Sequence, residues 1–258
     1  MHPLCKICNK ETSFFDKATI LDKYEVTYYS CSNCGFIQTE TPYWLPEAYS
    51  DVITSSDIGL CSRNVTLSNT CDVLFKFIFK RENDYIDYGG GYGMFTRLMR
   101  DKGFDFEWYD EYCTNIFAKG HEMKKNHYDV LTSFEMFEHL EKPMETISKL
   151  FTLANSIVFS TELIPSGTPK IIDWWYFGTD HGQHIAFYTE KCLRIIADNY
   201  NKNYYHFGNL HVITNLKISK TKCFILSHKK TQALLSVLLR KKRSLLADDY
   251  SKITGKQI

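Results

Sequence analysis

A glycine-rich turn between a predicted strand and a predicted helix constrains the fold of this chain more than any other feature. The turn reads Asp87-Tyr-Gly-Gly-Gly-Tyr-Gly93 and follows the short run Tyr85-Ile-Asp-Tyr88. Glycines let the backbone approach a ligand closely, and the free amides of the following helix favour electron-rich groups. Asp110 ends the next predicted strand, where a carboxylate can accept hydrogen bonds from ribose hydroxyls. The turn, its context and its acidic partner together predict a nucleotide-cofactor site.

The residues around this turn alternate between strand and helix patterns. Predicted strands cover residues 85–88, 104–109, 128–134 and 156–160. A helix is predicted from Met94 to about Lys102, and Pro143 marks the first turn of another. Strands that alternate with helices indicate an α/β fold with a mostly parallel, doubly wound sheet. A dinucleotide fingerprint is excluded because Met94 stands at its last glycine position, and no Gly-Lys-Ser/Thr follows that would make a P-loop.

The string D-x-G-x-G-x-G resembles motif I of the class I S-adenosylmethionine (SAM)-dependent methyltransferases. The segment from Tyr128 to Pro143, with its Glu-His-Leu-x-x-Pro ending, resembles the fourth-strand segment of the same family. The resemblance implies a Rossmann-like fold and SAM as the cofactor. The cofactor-binding residues that it implies are Asp87, Gly89, Gly90, Gly91, Gly93, Asp110, Phe134 and Glu135. The stretch after Asp110 departs from the family because it lacks an obvious third strand, so no adenine contact is assigned there.

Four of the nine cysteines form two C-x-x-C pairs, Cys5-Lys-Ile-Cys8 and Cys31-Ser-Asn-Cys34, with 22 residues between them. Two such turns supply the four thiolates that tetrahedral zinc prefers. With Cys5, Cys8, Cys31 and Cys34 as ligands the metal has no open position, so we predict a small N-terminal zinc ribbon with a structural Zn²⁺. The alternatives are four ordinary thiols or a redox pair, and the absence of a βαβ pattern around either pair disfavours the redox pair.

These patterns divide the chain into four parts. They are a zinc-binding module at 1–40, a helical linker or cap at 41–80, a SAM-binding methyltransferase domain at 81–228 and a basic amphipathic tail at 229–258. The tail places a leucine-rich run beside Arg240-Lys-Lys-Arg243, so it is either a terminal helix with a solvated basic face or a peripheral membrane contact. No run reaches the length of a membrane span and no signal-peptide layout opens the chain, so a cytoplasmic location is expected.

The loop after the predicted strand at 156–160 carries the candidate acceptor site, because loops at the carboxyl ends of strands line the site in open α/β sheets. An alcohol acceptor must lose a proton to be methylated, and histidine is the usual base. The predicted catalytic residues are His181, His184, Asp180 and Glu135. His181 is favoured for the chemistry and His184 for a structural role, with Asp180 as an orienting neighbour.

Other side chains of this region have two interpretations each. The aromatic run Trp174-Trp-Tyr176 forms either a stacking platform for a sugar or base or a cap over the hydrophobic core. Glu138 and His139 follow the fourth strand and either line the cleft or orient other residues, and an orienting or helix-end role is favoured for Glu138. A divalent ion held by Asp173, Asp180 and the histidines is a further alternative, although their spacing matches no metal motif.

The acceptor class follows from the module in front of the cofactor domain. Cys31-Ser-Asn-Cys34-Gly-Phe-Ile-Gln38 resembles the zinc module of sugar methyltransferases in deoxysugar and surface-polysaccharide pathways, which implies a nucleotide-activated or glycan sugar. Zinc-knuckle ribosomal-RNA methyltransferases are the alternative, but 31 Lys and Arg against 30 Asp and Glu supply no overall basic surface, which argues against a nucleic-acid partner. Oxygen methylation is expected rather than carbon methylation, because no long C-terminal domain is present. A non-catalytic SAM-fold scaffold and the oligomeric state stay open.

Overall fold

The structure is a computed structural model that describes residues 2–50, 57–79 and 84–257. Its strands are β1 (Thr12–Ile20), β2 (Tyr24–Cys31), β3 (Ile37–Thr39), β4 (Tyr85–Tyr88), β5 (Phe106–Tyr109), β6 (Tyr128–Ser133), β7 (Ala154–Ser160), β8 (Ala186–Phe187), β9 (Asn203–Phe207) and β10 (Leu210–Thr214). Its helices are α1 (Leu45–Ala48), α2 (Leu60–Ile78), α3 (Met94–Asp101), α4 (Pro143–Leu153), α5 (Glu190–Asn199), α6 (Lys220–Ser227), α7 (Lys229–Leu238) and α8 (Leu246–Thr254). Short 3-10 helices cover Phe137–His139, Ile171–Asp173 and Trp175–Phe177.

The chain divides into two compact units, each of which is interrupted in sequence. The first unit contains residues 1–54, 134–151 and 159–216, and the second contains residues 55–133, 152–158 and 217–258. The four linear boundaries expected from the sequence stay a prediction. Of the predicted helical linker at 41–80, residues 51–56 and 80 lie outside the described residues, and α2 is the main helix of the part that is described.

The first unit contains an antiparallel sheet with the strand order β1-β2-β3-β8. β1 and β2 form a long hairpin whose register runs from Thr12 opposite Cys31 to Ile20 opposite Tyr24. The two-residue strand β8 pairs with β3, although the two are far apart in sequence. One core cluster of this unit contains Ile20, Val26, Tyr28, Trp44, Phe177 and Phe187. Cys31 ends β2 and Cys34 lies in the turn to β3, so the sheet fixes the second C-x-x-C pair.

The second sheet has six strands in the order β5-β4-β6-β7-β10-β9. β4 pairs in parallel with both β5 and β6, whereas β9 and β10 form an antiparallel hairpin. Strands of a parallel sheet are covered on both faces, and every residue of β6 except Asp129 is buried. The predicted α/β fold with a mostly parallel sheet is confirmed.

The predicted strand boundaries differ slightly from the observed ones. β5 begins at Phe106 instead of residue 104, β6 ends at Ser133 instead of residue 134, and β7 begins at Ala154 instead of residue 156. The described stretch between Asp110 and β6 contains no strand, as predicted, and Glu122 forms one isolated parallel bridge there with Trp108. Backbone propensity alone locates a strand well but not its last residue, because the ends depend on hydrogen bonds to neighbours.

The C-terminal part of the chain packs through an ion-pair network. The buried carboxylate of Asp249 in α8 accepts hydrogen bonds from Arg97 at 2.8 Å and from Arg100 at 2.7 and 2.8 Å. In α7, Leu234, Val237 and Leu238 are exposed. Within the described parts of the chain, none of the helices combines the length and the apolar character that a membrane span requires. A peripheral membrane contact of the tail stays a prediction.

Candidate cofactor and acceptor sites

The glycine-rich turn connects the end of β4 at Tyr88 to the start of α3 at Met94. Gly89 and Gly90 both donate their amide hydrogens to the Tyr109 carbonyl, at 2.8 and 3.1 Å, so the turn is fixed to the end of β5. The first, third and fourth glycines of the turn have φ angles of 73°, 53° and 83°. These left-handed values favour glycine, which explains why the sequence is so rich in it here.

Side chains at two positions of the turn would collide with the structure around them. A Cβ at Gly90 would lie 2.7 Å from Asp87 Oδ2 and 2.7 Å from Trp108 Cδ1, and one at Gly93 would lie 2.7 Å from Asn115 Oδ1. A Cβ at Gly91, in contrast, would meet no described atom within 4 Å. The Gly91 side of the turn is therefore open, and a ligand can approach the backbone there.

Asp87 makes its contacts within the protein and is not exposed to solvent. Its side chain is buried, and its carboxylate accepts hydrogen bonds from Thr132 Oγ1 at 2.8 Å and from Thr96 Oγ1 at 3.1 Å. Burial raises the pKa of Asp87 to about 7; the two hydroxyl groups oppose this rise and the charge of Asp110 adds to it. The geometry makes Asp87 an anchor of the turn, and its contact with the methionine end of the cofactor stays a prediction.

Asp110 is held by three backbone amides. Its Oδ2 accepts a hydrogen bond from the Gly91 amide at 2.9 Å, and its Oδ1 accepts from the amides of Tyr112 and Cys113 at 2.8 Å each. A carboxylate has about four lone-pair sites, so ribose hydroxyls can still bind to these oxygens. The sequence gives no prediction for Tyr112, whose side chain is 77% exposed, and exposed apolar side chains at Ile116 and Phe117 follow it. The aromatic residue two positions after Asp110 is the sequence signal that points to Tyr112.

The four predicted zinc ligands converge in the first unit. The Sγ atoms of Cys5 and Cys34 lie 3.6 Å apart, those of Cys8 and Cys31 3.5 Å, and those of Cys8 and Cys34 3.6 Å. Thiolates bound to a tetrahedral ion at the Zn–S distance of about 2.3 Å would be about 3.8 Å apart, so this spacing fits the metal. The contact between Cys5 and Cys34 lowers the pKa of Cys5 and raises that of Cys34, as expected for two thiols that share one proton. The cluster could hold one metal ion.

Glu135 has an unusual backbone conformation just after β6. Its φ is 51°, which is rare for a residue other than glycine. Ser160 at the end of β7 holds it, because the Glu135 amide donates to Ser160 Oγ at 2.9 Å and this hydroxyl donates to Glu135 Oε1 at 2.5 Å. Strained residues of this kind concentrate at functional sites. Phe134 beside it is half-buried, and the predicted cofactor and catalytic roles of both residues stay predictions.

Three histidines of the first unit lie together. The ring centres of His139 and His184 are 4.9 Å apart, and those of His181 and His184 are 4.7 Å apart. His184 Nδ1 lies 2.6 Å from the Tyr176 carbonyl oxygen, so Nδ1 carries the hydrogen and Nε2 keeps its lone pair. His181 is arranged the other way, because its Nδ1 accepts the Gln183 amide hydrogen at 3.1 Å. These hydrogen bonds leave the Nε2 lone pair of His184 available and commit Nδ1 of His181 as an acceptor, and the choice of base between the two stays a prediction.

The surroundings keep the imidazoles neutral. Burial lowers the pKa of His184 to about 4, and it also lowers the pKa of His181 and of His139. The charge of Asp180 opposes this effect at His181 and His184, although the Asp180 side chain itself is exposed. Each imidazole is therefore neutral near pH 7, with a lone pair on one of its two nitrogens.

Glu138 has surroundings that the sequence alone does not reveal. It is fully buried, and neither of its carboxyl oxygens has a hydrogen-bond partner among the described residues. Burial raises the pKa of Glu138 to about 8; the charge of Glu135 adds to the rise, and two nearby hydroxyl groups offset part of it. One carboxyl oxygen of Glu138 and one ring nitrogen each of His139 and His184 lie within 4.8 Å of one another. The carboxyl group of Glu138 thus lies within the histidine cluster, and the orienting role expected for it stays a prediction.

The aromatic run Trp174-Trp-Tyr176 divides between core and surface. Trp174 and Tyr176 are buried, and the Trp174 ring lies 5.3 Å from that of Phe177. Trp175 is 77% exposed, and the neighbouring Ile172 is exposed as well. The cap interpretation therefore applies to two of the three aromatic residues, and Trp175 alone of the three is available for stacking on a ligand.

The sequence profile of a family described as "Methyltransferase domain" matches residues 65–206, which is more than half of the 258 residues. The chain belongs to this family. The matched range includes the glycine-rich turn, Asp110 and the histidine cluster, so both candidate sites lie within the methyltransferase domain. No curated protein sequence matches the chain. Membership of the zinc-ribbon sugar group stays a prediction.

Solved structures similar to this methyltransferase domain include a methyltransferase of calicheamicin biosynthesis in its SAH-bound form, with 12% identity and a TM-score of 0.45. An O-methyltransferase family protein from Burkholderia thailandensis has 14% identity and a TM-score of 0.45. The matches cover 66% and 67% of this chain, and 61% and 62% of those two chains. The plantazolicin methyltransferase in complex with SAH has 14% identity and a TM-score of 0.48, with 79% of this chain and 95% of that chain covered. The family assignment itself depends on the sequence profile.

Proposed function

We propose that the protein transfers a methyl group from SAM to a hydroxyl of a nucleotide-activated or glycan sugar. The observation that carries the proposal is the turn at the end of β4, whose Gly91 side is open and whose Gly91 amide is bonded to Asp110. A family match to a methyltransferase domain spans this turn. An open glycine backbone next to a fixed carboxylate is the arrangement that a nucleoside cofactor requires.

Each residue of the turn has a distinct part in this proposal. Gly91 presents backbone to the cofactor, and Asp110 accepts hydrogen bonds from its ribose hydroxyls. Asp87 keeps the turn in place through Thr96 and Thr132. The exposed side chain of Tyr112 offers an apolar surface for the adenine ring. When bound, SAM supplies an electrophilic methyl group whose transfer removes the sulfonium charge.

The proposed base is His184. Its Nδ1 hydrogen is committed to the Tyr176 carbonyl, so Nε2 is the atom that takes the proton of the acceptor hydroxyl. A carboxyl oxygen of Glu138 lies within 4.8 Å of a ring nitrogen of His184, and a carboxylate there would stabilise the imidazolium that forms. The His181 ring contacts the His184 ring, and the charge of Asp180 acts on His184. The charge of Glu135 acts on Glu138.

The sugar acceptor and the structural zinc rest on the N-terminal module. The segment Cys31–Gln38 resembles that of sugar methyltransferases, and the sulfur spacing fits a Zn²⁺ with four thiolate ligands. Exposed Trp175 offers a flat surface on which a sugar ring can stack. A cytoplasmic location completes the proposal, because thiols stay reduced there and none of the nine described cysteines forms a disulfide.

The proposal is tested by mass spectrometry of the purified protein incubated with SAM and a panel of nucleotide-activated hexoses, deoxysugars and heptoses. A product heavier by one methylene, formed together with S-adenosylhomocysteine, is the expected result. Loss of turnover in His184→Ala, with a smaller loss in His181→Ala, supports the assignment of the base. Turnover on none of the sugars despite SAM binding would refute the sugar acceptor and favour RNA or protein. A carbon-methylated product would refute oxygen transfer, and failure to bind SAM would leave only a scaffold role.

A further inference from the structure

We infer that Glu138, His139 and His184 form a binding site for a divalent transition-metal ion, separate from the four cysteines. A carboxyl oxygen of Glu138 and one nitrogen of each imidazole lie within 4.8 Å of one another. The cluster is held by the 3-10 helix Phe137–His139 and by the hydrogen bond from the Ile185 amide to the Glu138 carbonyl oxygen, at 2.8 Å. The helix and the hydrogen bond fix the backbone that carries Glu138 and His139.

The two imidazoles are oriented as metal ligands usually are. His184 Nδ1 lies 2.6 Å from the Tyr176 carbonyl oxygen, and His139 Nδ1 lies 3.1 Å from the Gln183 carbonyl oxygen. His139 Nδ1 is also 2.9 Å from the Tyr49 hydroxyl. A metal-bound histidine typically donates its second ring N–H to a carbonyl or carboxylate, which fixes the ring and leaves Nε2 free to coordinate. Both histidines meet this condition.

The third ligand, Glu138, has no hydrogen-bond partner among the described residues, and a cation could take that place. Glu138 is fully buried, and neither of its carboxyl oxygens has a hydrogen-bond partner within the part of the chain that the structure describes. A buried polar group without a partner destabilises the folded protein, and more so if it is charged. A bound cation would satisfy the carboxylate, and the charge of nearby Glu135 would bring the loaded site closer to neutrality.

The ligand set selects the class of ion. Two imidazoles and one carboxylate suit Zn²⁺, Fe²⁺, Co²⁺ or Ni²⁺, whereas Mg²⁺ and Ca²⁺ prefer oxygen ligands throughout. The ligand atom that His184 supplies to the ion would be Nε2. If His184 is the base, as proposed above, the ion and the transferred proton exclude each other, so the metal acts as a reversible inhibitor. This last step rests on the proposed function, but the binding of the ion does not.

The test uses the 258-residue chain, loaded beforehand with one equivalent of Zn²⁺, which is then titrated with Co²⁺ and followed by calorimetry and by metal analysis after desalting. The wild type is expected to bind one further ion, with an absorption band of nitrogen and oxygen coordination and no added thiolate charge-transfer band. His184→Ala and Glu138→Gln are expected to weaken this second binding at least tenfold. His127→Ala, which removes an exposed histidine outside the cluster, is the matched control and should bind as the wild type does.

Two results would overturn the site. One is a wild-type protein that retains a single metal ion per chain under saturating Co²⁺, which requires no variant and so does not depend on how the variants fold. The other is a folded His184→Ala protein, checked by circular dichroism, that binds the second ion with wild-type affinity. Methyl transfer that persists with the second ion bound would refute His184 as the base while leaving the metal site intact. The two proposals therefore fail separately.

Discussion

Replacing Gly91 by alanine separates the cost of an unfavourable backbone from the loss of a ligand site. Gly91 has a φ of 53°, and a Cβ placed there meets no described atom within 4 Å. The substitution thus creates no clash with the described residues, and its expected cost to folding is that of the left-handed conformation, about 1–2 kcal/mol. For a chain of this size that corresponds to a fall in melting temperature of about 2–8 °C. The added methyl group enters the space that the cofactor is proposed to occupy.

Gly208 supplies the matched control for this experiment. Its φ is 67°, and a Cβ there also meets no described atom within 4 Å, but it lies in the turn between β9 and β10. Gly208→Ala should therefore lose a similar amount of stability and keep its affinity for SAM. Gly91→Ala should bind SAM at least tenfold more weakly, a loss of about 1.4 kcal/mol or more in binding free energy.

The assay is isothermal calorimetry with SAM and with S-adenosylhomocysteine, on proteins whose melting curves have been recorded first. If Gly91→Ala binds SAM within twofold of the wild type, the open side of the turn is not where the cofactor lies. If Gly208→Ala loses affinity as strongly as Gly91→Ala does, the effect comes from general destabilisation. Either result would remove the main support for the proposed cofactor site.

Three further predictions test the other parts of the molecule. His184→Ala should lower the turnover number of methyl transfer by about a hundredfold or more, and His181→Ala by much less, in a steady-state assay with the sugar acceptor. Asp87 is protonated in the folded protein below pH 7 but not in the unfolded chain above about pH 4, so stability should fall as the pH rises from 4 to 7. Urea unfolding should show this loss, which is at most about 4 kcal/mol, and Asp87→Asn should reduce it. Cys8→Ser should release zinc and lower the melting temperature by several degrees, whereas Cys61→Ser, at an exposed thiol outside the cluster, should do neither.

The cofactor side of the fold could be predicted because its signals are local. The glycines of the turn, the flanking strand and the following helix are adjacent in sequence, and Asp110 directly follows the next strand, β5. Each of these positions has a steric or hydrogen-bonding reason that a single short segment reveals. The signal from the four cysteines is local as well, because two C-x-x-C turns indicate a tetrahedral metal site whatever fold surrounds them.

The acceptor side could be predicted only as a list of residues. Sequence spacing places His181 and His184 in the same loop, but it does not show which ring nitrogen of each histidine carries the proton. Their difference arises from a carbonyl oxygen at Tyr176, which fixes one ring, and an amide at Gln183, which fixes the other in the opposite sense. The position of a proton on an imidazole is thus a property of backbone groups that fold against it, and no periodicity in the sequence encodes it.

Glu138 shows why burial changes the meaning of a residue. In the sequence it stands at the end of a strand segment beside a histidine, where a carboxylate commonly orients a neighbour or caps a helix. In the fold both of its oxygens are buried without a hydrogen-bond partner among the described residues, next to imidazole nitrogens that are free to bind. Such a group destabilises the free protein unless something binds to it. A metal ion or the acceptor hydroxyl would each satisfy it, and the cobalt titration determines whether the metal does.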